Sequence, residues 1–380
     1  MKKRRQGSQR KMSKALKINK NIHEGLADFL TFLLENEKVK AVFTLKKLNE
    51  EGAAAYSLIT GLDEMEDAVP LYPFMPVNGG KVLSTFSLQS ASEEPVAAVL
   101  RPCELRAFTE LVKRTQGSLK NILLISLSCG GVYPLKSLNT GELTKNLSSY
   151  WDSVKEAGVD PGIRESCKRC EEFVPETADM TVETVGMSID NECIIKLNTA
   201  RCEDFVKNGP GNITSEKEEN ELAEKLKKKR EENRIGLFEK IDSDYSDPQT
   251  LIKTFAPCLG CHACSHACPI CFCTLCDFDS KICEYQPQSF ISELEQKKGI
   301  KVPPGNIFFH IGRMTHMAVS CVRCGMCTDV CPVNIPVGDV FSRVGDSVQK
   351  VFEYIPGRDA EEPAPTGTYK EEEFAEVGEQ

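Results

Sequence analysis

Two cysteine motifs in the last third of the chain carry its strongest chemical signal. CLGCHACSHACP begins at Cys258 and CVRCGMCTDVCP begins at Cys321, so both follow the pattern CxxCxxCxxxCP. Three closely spaced thiolates can hold one 4Fe-4S cluster, while the cysteine before proline reaches across to a second cluster. A single motif of this kind also fits a zinc site, but two in one domain rarely do. The pair therefore predicts two 4Fe-4S clusters.

The spacing further predicts that the two motifs exchange their last ligands. The three-residue gap before the final cysteine of each motif holds that thiolate away from its own cluster. We expect the first cluster to be bound by Cys258, Cys261, Cys264 and Cys331. We expect the second cluster to be bound by Cys321, Cys324, Cys327 and Cys268.

Four more cysteines lie between the two motifs, in PICFCTLCDFDSKIC. They could hold a fourth cluster, or they could be buried thiols that pack around the first one. We favour packing, because no paired CxxC pattern supports a ligand role. The residues are Cys271, Cys273, Cys276 and Cys283. The histidines near the motifs are expected to be surface or packing residues, because the thiolates already suffice: His262, His266, His310 and His316.

The N-terminal half has scattered cysteines. Cys103 lies in RPCELRAF, Cys129 lies in SLSCGGVYP, and Cys167 and Cys170 form the pair in SCKRC. By spacing alone only the CxxC pair is notable, and zinc would suit it at least as well as iron.

Periodicity predicts the elements that hold these residues. Apolar residues at helical spacing over 21–34 lead into a strand-like run at 41–45. A second strand ends at Leu100, a helix follows over 104–114, and the apolar run NILLISL comes next. This order is βαβ and indicates an α/β domain.

The remainder of the chain is predicted to be helical. The charge-rich residues 215–240 indicate a long exposed helix that links domains. A later helix is expected to share a face among Ile307, Ile311 and Met314. Another, over 337–352, is expected to bury Val340, Phe341, Val344, Val348 and Val351. The predicted fold is an α/β N-terminal domain plus a mainly helical dicluster (2×4Fe-4S) ferredoxin-like domain.

The predicted domains have boundaries set by composition. A basic flexible tail covers 1–22, an α/β flavin and iron–sulfur domain 23–210, and a charged helical linker 211–249. The dicluster domain covers 250–352, and an acidic disordered tail rich in Glu and Pro covers 353–380.

Composition restricts the class of protein. The chain has 380 residues, 41% of them apolar, and a formal net charge of −9, which disfavours nucleic acid as a partner. No apolar run is long enough to cross a bilayer, and the basic start is followed by no apolar signal core, so we expect a cytoplasmic protein. There, 18 cysteines indicate soft-metal binding rather than disulfides. GxSxG, HExxH, P-loop and Rossmann motifs are absent, which leaves hydrolase and nucleotide-triphosphatase functions without support.

The segments taken in order resemble the beta subunits of coenzyme F420-reducing hydrogenases and formate dehydrogenases, over about residues 23–350. The specific marks are PCELRA, the CGG after a strand, and CKRCEEFVPETAD. The runs CPICFCTLC and HIGRMTHMAVSCVRCGMCTDVCPVNIP look most like the formate dehydrogenase branch. One departure is that the glycine pair ahead of the first helix is His23 and Glu24 here.

The resemblance implies a third 4Fe-4S cluster in the N-terminal domain, with ligands Cys103, Cys129, Cys167 and Cys170. It also implies a flavin, expected as FAD, and an anaerobic catalytic partner. The βαβ order agrees with a shared cluster, because Cys103 and Cys129 would lie at the same carboxyl edge of the sheet.

One loop offers backbone amides and an ammonium group to a flavin phosphate. It consists of Asn78, Gly79, Gly80 and Lys81. So short a signal is weak, and an ordinary turn explains it better.

The sequence leaves three functional hypotheses. The first is an electron-transfer subunit of an anaerobic oxidoreductase complex, of the formate dehydrogenase or hydrogenase beta-subunit type, that relays electrons through 4Fe-4S clusters to or from a flavin and a hydride carrier. The second is a flavin-free polyferredoxin-type connector in a heterodisulfide reductase-like or sulfite reductase-like complex. The third is a zinc-dependent interaction protein. The first two are oxidoreductase subunits that act with a catalytic partner and have no catalytic residue of their own.

Overall fold

The computed structural model describes residues 12–49, 51–89, 92–217, 220–276, 278, 287–298 and 306–368. Within these residues, strands form one mixed sheet of eight. They are β1 (Met12–Ile18), β2 (Ala41–Lys47), β3 (Ala54–Ile59), β4 (Val96–Val99), β5 (Ile122–Leu127), β6 (Met180–Val182), β7 (Cys193–Leu197) and β8 (Asn212–Lys217). The order across the sheet is β3-β2-β4-β5-β6-β7-β1-β8.

The centre of the sheet is parallel. β2, β4, β5 and β6 run in one direction, whereas β3 pairs antiparallel with β2, and β7, β1 and β8 continue the other side antiparallel. The carboxyl ends of the four parallel strands therefore meet at one edge.

Helices cover both faces of the sheet. They are α1 (Ile22–Glu35), α2 (Gly79–Gln89), α3 (Pro102–Lys113), α4 (Lys136–Thr140), α5 (Glu142–Lys145), α6 (Leu147–Lys155), α7 (Cys202–Val206) and α8 (Glu221–Asp244). Side chains alternate along a strand, so Ala97 packs with α1 on one face while Ala98 packs with α2 and α3 on the other. The predicted α/β domain is confirmed.

After residue 244 the described chain is helical. Its elements are α9 (Pro248–Phe255), α10 (Ala263–Ala267), α11 (Pro287–Lys297), α12 (Asn306–Met317), α13 (Met326–Asp329) and α14 (Val337–Val351). Their core contains Phe255, Met317, Val340 and Phe341. No helix in the described ranges is long and apolar enough to span a membrane.

Part of the expected N-terminal tail is structured. Residues 12–18 form β1, which pairs with β7 and β8, and Ala15, Leu16 and Ile18 are buried. The apolar run is short and is flanked by lysines. Its partner strands lie far along the chain, so local pattern does not reveal the pairing.

The expected linker also belongs to the folded core. Residues 212–217 form β8 at the sheet edge, and α8 buries Ala223, Leu226 and Arg230 against the loop that carries Cys167. Its apolar positions are few, and Ala223 and Leu226 lie on the side that faces this loop.

The expected acidic tail is ordered at its start. Tyr354 is buried, its hydroxyl donates to Glu110, and the Gly357 amide donates to the same carboxylate oxygen at 2.8 Å. The Arg106 guanidinium donates to the Pro356 carbonyl at 2.8 Å. These contacts attach the segment to α3.

Two predicted helix faces need correction. In α12 the buried residues are Phe309, His310, Arg313 and Met317, while Ile311 is exposed. In α14, Val340 and Phe341 are buried as predicted, but Val351 is exposed and Gly345, Asp346 and Gln349 are buried. Polar side chains are buried here because they form hydrogen bonds with the loops that carry the cysteines. The spacing of apolar residues does not predict such hydrogen bonds.

Two glycines in different helices, one tightly packed and one exposed to open space, give the first prediction. A Cβ on Gly80 would lie 2.0 Å from the Glu104 carbonyl oxygen and 2.9 Å from the Phe108 nitrogen, so Gly80→Ala should force α2 away from α3. Gly236 in α8 is the matched control, since its Cβ would meet nothing within 4 Å. We expect Gly80→Ala to lower the free energy of unfolding by about 2 kcal/mol or more, and Gly236→Ala to raise it by about 0.5–1 kcal/mol. Denaturant titration of both variants checks this, and a neutral Gly80→Ala would contradict the packing role.

Candidate iron–sulfur sites

The parallel strands bring two N-terminal cysteines to one edge. Cys103 lies in the first turn of α3, directly after β4, and Cys129 follows β5 by two residues. The segment with Cys167 and Cys170 lies over this edge, with its turn at Cys167–Arg169. Gly131 permits the approach, because its φ is +119° and a Cβ there would lie 3.1 Å from the Cys167 Cβ.

The four thiols pack in two overlapping clusters, one with Cys129, Cys167 and Cys170 and one with Cys103 and Cys167, and their pKa values reflect these neighbours. Burial raises the pKa of Cys103, and the nearby Glu104, Cys324, Cys129 and Cys170 raise it further. Burial also raises the pKa of Cys170 to about 12, and Cys167 acts in the same direction. For Cys129, burial and the Cys167 thiol raise the pKa, whereas the Arg101 guanidinium opposes them. The structure thus brings the four cysteines together.

The first C-terminal set is the predicted ligand set of the first cluster. It combines three cysteines of the first motif with the last cysteine of the second, namely Cys258, Cys261, Cys264 and Cys331. Burial raises the pKa of Cys264 to about 11, against the opposing Arg313, and the thiols of Cys258, Cys261 and Cys331 add to the increase. The Ile335 amide donates to the Cys331 sulfur at 3.3 Å.

His310 touches the same set. Its Nε2 lies 3.3 Å from the Cys258 sulfur, and burial, followed by the nearby charges of Arg313 and His262, lowers the pKa of His310 to about 4. His262 stacks on Phe309. Both histidines have the packing contacts predicted for them.

The second C-terminal set is mixed in the same way. Burial raises the pKa of Cys327, and the neighbouring thiols of Cys268, Cys324 and Cys321 raise it further. Cys268 comes from the first motif, so in both sets the last cysteine of one motif lies near cysteines of the other motif, and crossed ligation stays a prediction. Cys103 also lies near Cys324, and both pack with Met75 and Met326.

Among the residues that the structure describes, no three His, Cys, Asp or Glu side chains converge closely enough to hold a single metal ion. A 4Fe-4S cluster makes a different demand on its ligands. Each of its four irons takes one thiolate, so the sulfurs surround a cluster-sized volume instead of meeting at one point.

The intervening cysteines differ among themselves. Cys271 is half-buried beside Cys268, with its sulfur 3.5 Å from the Met317 sulfur. Cys273 is exposed, Cys276 is half-buried, and Cys283 lies outside the described residues. Cys271 packs against the helical core, and the preference for packing over a fourth cluster stays a prediction.

The residues of the predicted flavin-phosphate loop have other contacts. The Lys81 ammonium donates to the carbonyl oxygens of His266 at 2.7 Å, Cys268 at 2.9 Å and Cys271 at 3.1 Å. The Gly79 amide donates to Glu104 at 2.9 Å. Asn78 is fully buried and Gly80 packs on α3. These contacts differ from the predicted phosphate site: they join α2 to α3 and to the Cys268 turn.

Two buried arginines next to the cysteines were not predicted. Arg313 donates to the Cys264 sulfur at 3.1 Å, and Arg230 donates to the Gly130 carbonyl at 2.7 Å and the Cys129 carbonyl at 3.3 Å. The helical register of Arg313 with Phe309 and Met317, at four-residue spacing, was the available signal. Arg230 is one cation in a lysine-rich run, and nothing local distinguishes it.

Residues of the α/β domain form most of the lining of two cavities. The larger, about 890 Å³, is lined by charged side chains of α8, by Arg358 and by residues adjoining three of the cysteines, namely Pro102, Ser128 and Glu171. The smaller, about 600 Å³, is mostly apolar and aromatic, with Tyr72, Trp151, Ala53 and Val69 beside Lys47 and His23. Three rings follow one another from this cavity to Tyr150. The ring centres of His23 and Trp151 are 4.8 Å apart, and those of Trp151 and Tyr150 are 5.1 Å apart.

Known proteins resemble the chain over most of its length. The F420-dependent formate dehydrogenase subunit beta of Methanocaldococcus jannaschii is 27% identical over 363 residues, which are 86% of this chain and 90% of the relative. The F420-dependent formate dehydrogenase 1 subunit beta of Methanococcus maripaludis is 26% identical over 372 residues, 88% of this chain and 91% of the relative.

A solved structure matches more weakly. It is the xenon-derivatised F420-reducing [NiFe] hydrogenase complex from Methanosarcina barkeri, and its matching chain is 13% identical. The match covers 61% of this chain and 92% of that chain, with a TM-score of 0.44. That likeness is too weak to establish a common fold.

A family model gives a third comparison. Residues 93–221 match the C terminus of the beta subunit of coenzyme F420 hydrogenase/dehydrogenase. This stretch includes the PCELRA, CGG and CKRC motifs. The resemblance to the beta subunits of coenzyme F420-reducing hydrogenases and formate dehydrogenases is thereby confirmed.

Proposed function

We propose that this protein is an electron-transfer subunit of an anaerobic formate dehydrogenase or hydrogenase complex, with three 4Fe-4S clusters on the twelve cysteines named above. The observation that carries the proposal is that Cys103, from the N-terminal set, and Cys324, from the second C-terminal set, pack in one cluster with Met75 and Met326. A cluster bound in the α/β domain would therefore lie next to a cluster of the proposed dicluster domain.

The order of the sets favours a relay. The N-terminal set adjoins the set of Cys321, which adjoins the set of Cys258 through the short stretch from Cys264 to Cys268. Cys261, in the last set, is exposed. Electrons would therefore enter or leave to a partner subunit at this outer end, and the clusters would supply the one-electron steps.

The donor sets fit anionic clusters. Arg230 is 1% exposed, yet among the ion pairs of the described residues it has no carboxylate partner. Its hydrogen bonds go to carbonyl oxygens of the N-terminal set, and its guanidinium lies over the Phe173 ring. A buried cation needs a counter-charge. Thiolates on a cluster would provide it, whereas neutral thiols would not.

The smaller cavity is the site that we propose for the flavin. An apolar cavity of this size with a few polar groups is typical of cofactor sites. Its aromatic wall suits an isoalloxazine ring, Lys47 adds a cation to the lining, and the buried Tyr72 hydroxyl has no hydrogen-bond partner among the described residues. Flavin supplies the exchange between hydride and single electrons. Tyr150 lies between the two sites, because its ring contacts Trp151 of the cavity and its hydroxyl is near Cys129 of the N-terminal set.

The second candidate is the flavin-free connector. It is favoured by His23, at a position where the family resemblance implies glycine, because His23 lines the smaller cavity and packs against Trp151. The engagement of Lys81 with three carbonyls points in the same direction. Either function keeps the cluster relay.

Iron content is the first test. Anaerobically prepared protein should contain about twelve iron atoms per chain, four for each of three clusters. Chemical iron and sulfide determination gives the number. A reproducible value near eight would remove the N-terminal cluster, a value near sixteen would add a fourth at the intervening cysteines, and iron-free protein with bound zinc would exclude the relay.

Crossed ligation can be tested by matching spectra among variants. Cys331→Ala and Cys258→Ala should lose the same electron paramagnetic resonance signal, while Cys268→Ala and Cys321→Ala should lose the other. Cys273→Ala is the control and should keep every signal, because that thiol is exposed and lies in no set. If Cys331→Ala instead matched Cys321→Ala, the crossed pairing would be wrong.

Flavin binding can be followed through Trp151, the single tryptophan of the chain. FAD added to flavin-free protein should quench its fluorescence, and Ala53→Leu, which narrows the smaller cavity, should weaken binding at least tenfold, about 1.4 kcal/mol. Lys228→Ala at the larger cavity is the control and should bind normally. Full iron content with no FAD bound would decide for the connector. Unchanged binding by Ala53→Leu would exclude this cavity.

A further inference from the structure

The geometry points to Arg313 as a positioning residue for electron transfer: its buried positive charge lies between the two C-terminal cysteine sets and makes the cluster of the Cys258 set easier to reduce. This inference rests on the proposed cluster relay. It assigns a role to a residue that belongs to neither cysteine motif.

The contacts of Arg313 are directed at cysteines. One guanidinium nitrogen donates to the Cys264 sulfur at 3.1 Å, and the other donates to the Cys264 carbonyl at 3.1 Å. Cys268 and Cys271 pack in the same cluster as Phe341, whose ring faces the guanidinium, and both thiols are close enough to interact with its charge. Since Cys264 belongs to the first C-terminal set and Cys268 to the second, the guanidinium is placed between the two.

The Arg313 guanidinium is shielded from water and is paired with no carboxylate among the described residues. Arg313 is 3% exposed, and its guanidinium lies 5.2 Å from the Phe341 ring centre and 5.5 Å from that of Phe309. Among the ion pairs of the described residues, none involves Arg313. By contrast, Arg164 and Arg323, near the second set, are paired with Asp329 and Asp346.

A buried, unpaired guanidinium is unfavourable unless an anion stands in for the carboxylate. The thiolates of a bound cluster are the available anions. Reduction adds one more negative charge at the cluster, and both the nearby cation and the N–H···S hydrogen bond favour that charged state. Arg313 should therefore raise the reduction potential of the cluster held by the Cys258 set. Arg164 and Arg323 should have a smaller effect on the cluster of the second set, because each is paired with a carboxylate.

The experiment is a redox titration of the whole protein monitored by electron paramagnetic resonance, with the Cys258-set signal identified by its loss in Cys258→Ala. Arg313→Gln removes the charge and should lower the ratio of reduced to oxidised cluster at a fixed potential about tenfold, which is about 59 mV for one electron. Arg313→Lys keeps the charge but loses the paired donors, so it should shift the ratio in the same direction by about two- to threefold.

Arg343→Gln is the matched control. Arg343 is on the neighbouring α14, but it is paired with Asp242 at 2.8 Å, and its hydrogen bonds within the described residues go to Asp242 and Ser347, so its removal should leave the ratio unchanged. If Arg313→Gln behaves like Arg343→Gln while the wild-type signal is present, the inference is overturned. If Arg313→Gln does not retain its clusters, a zero or upward shift in Arg313→Lys overturns it.

Failure of the underlying relay gives a different result. In that case the wild-type protein has no signal that depends on Cys258, whatever residue stands at 313.

Discussion

Parallel pairing of β4 with β5 decides where the N-terminal cysteines can lie. Because both strands end at the same edge, the residues that follow them, Cys103 and Cys129, are neighbours although 26 positions of chain separate their numbers. The strands are held in this relation by α3, whose Phe108 and Leu105 pack on Ala98 and Leu124. Any shift of α3 would move Cys103 directly, since Cys103 lies in its first turn.

The same helix ties the sheet to the helical part of the chain. Gly80 lets α2 touch α3, and this contact sets the position from which Lys81 reaches the carbonyls around Cys268. On the other side, the buried Arg164 pairs with Asp329 at 2.6 Å. These contacts fix the distance between Cys103 and Cys324, on which electron transfer between the proposed clusters would depend.

Local pattern was sufficient for the α/β domain and for the two CxxCxxCxxxCP motifs, because periodicity and ligand spacing are both properties of short segments. It failed for β1 and β8, whose pairing is with distant strands, and for the start of the C-terminal tail, which is held by Tyr354 on Glu110. The association of Cys103 with the CKRC loop required the family resemblance, since spacing alone left zinc equally suitable.

Lys81 shows most clearly why charge and glycine are ambiguous in a sequence. The features that favour a phosphate site, namely glycines at a helix start followed by an ammonium, also allow one helix to lie against another and a cation to collect carbonyl oxygens. The structure has the second arrangement. Arg230 and Arg313 extend the same point, because buried cations without a carboxylate among the described ion pairs indicate an anion of another kind. Their contacts with cysteine sulfur and with carbonyls beside cysteines favour thiolate clusters as that anion.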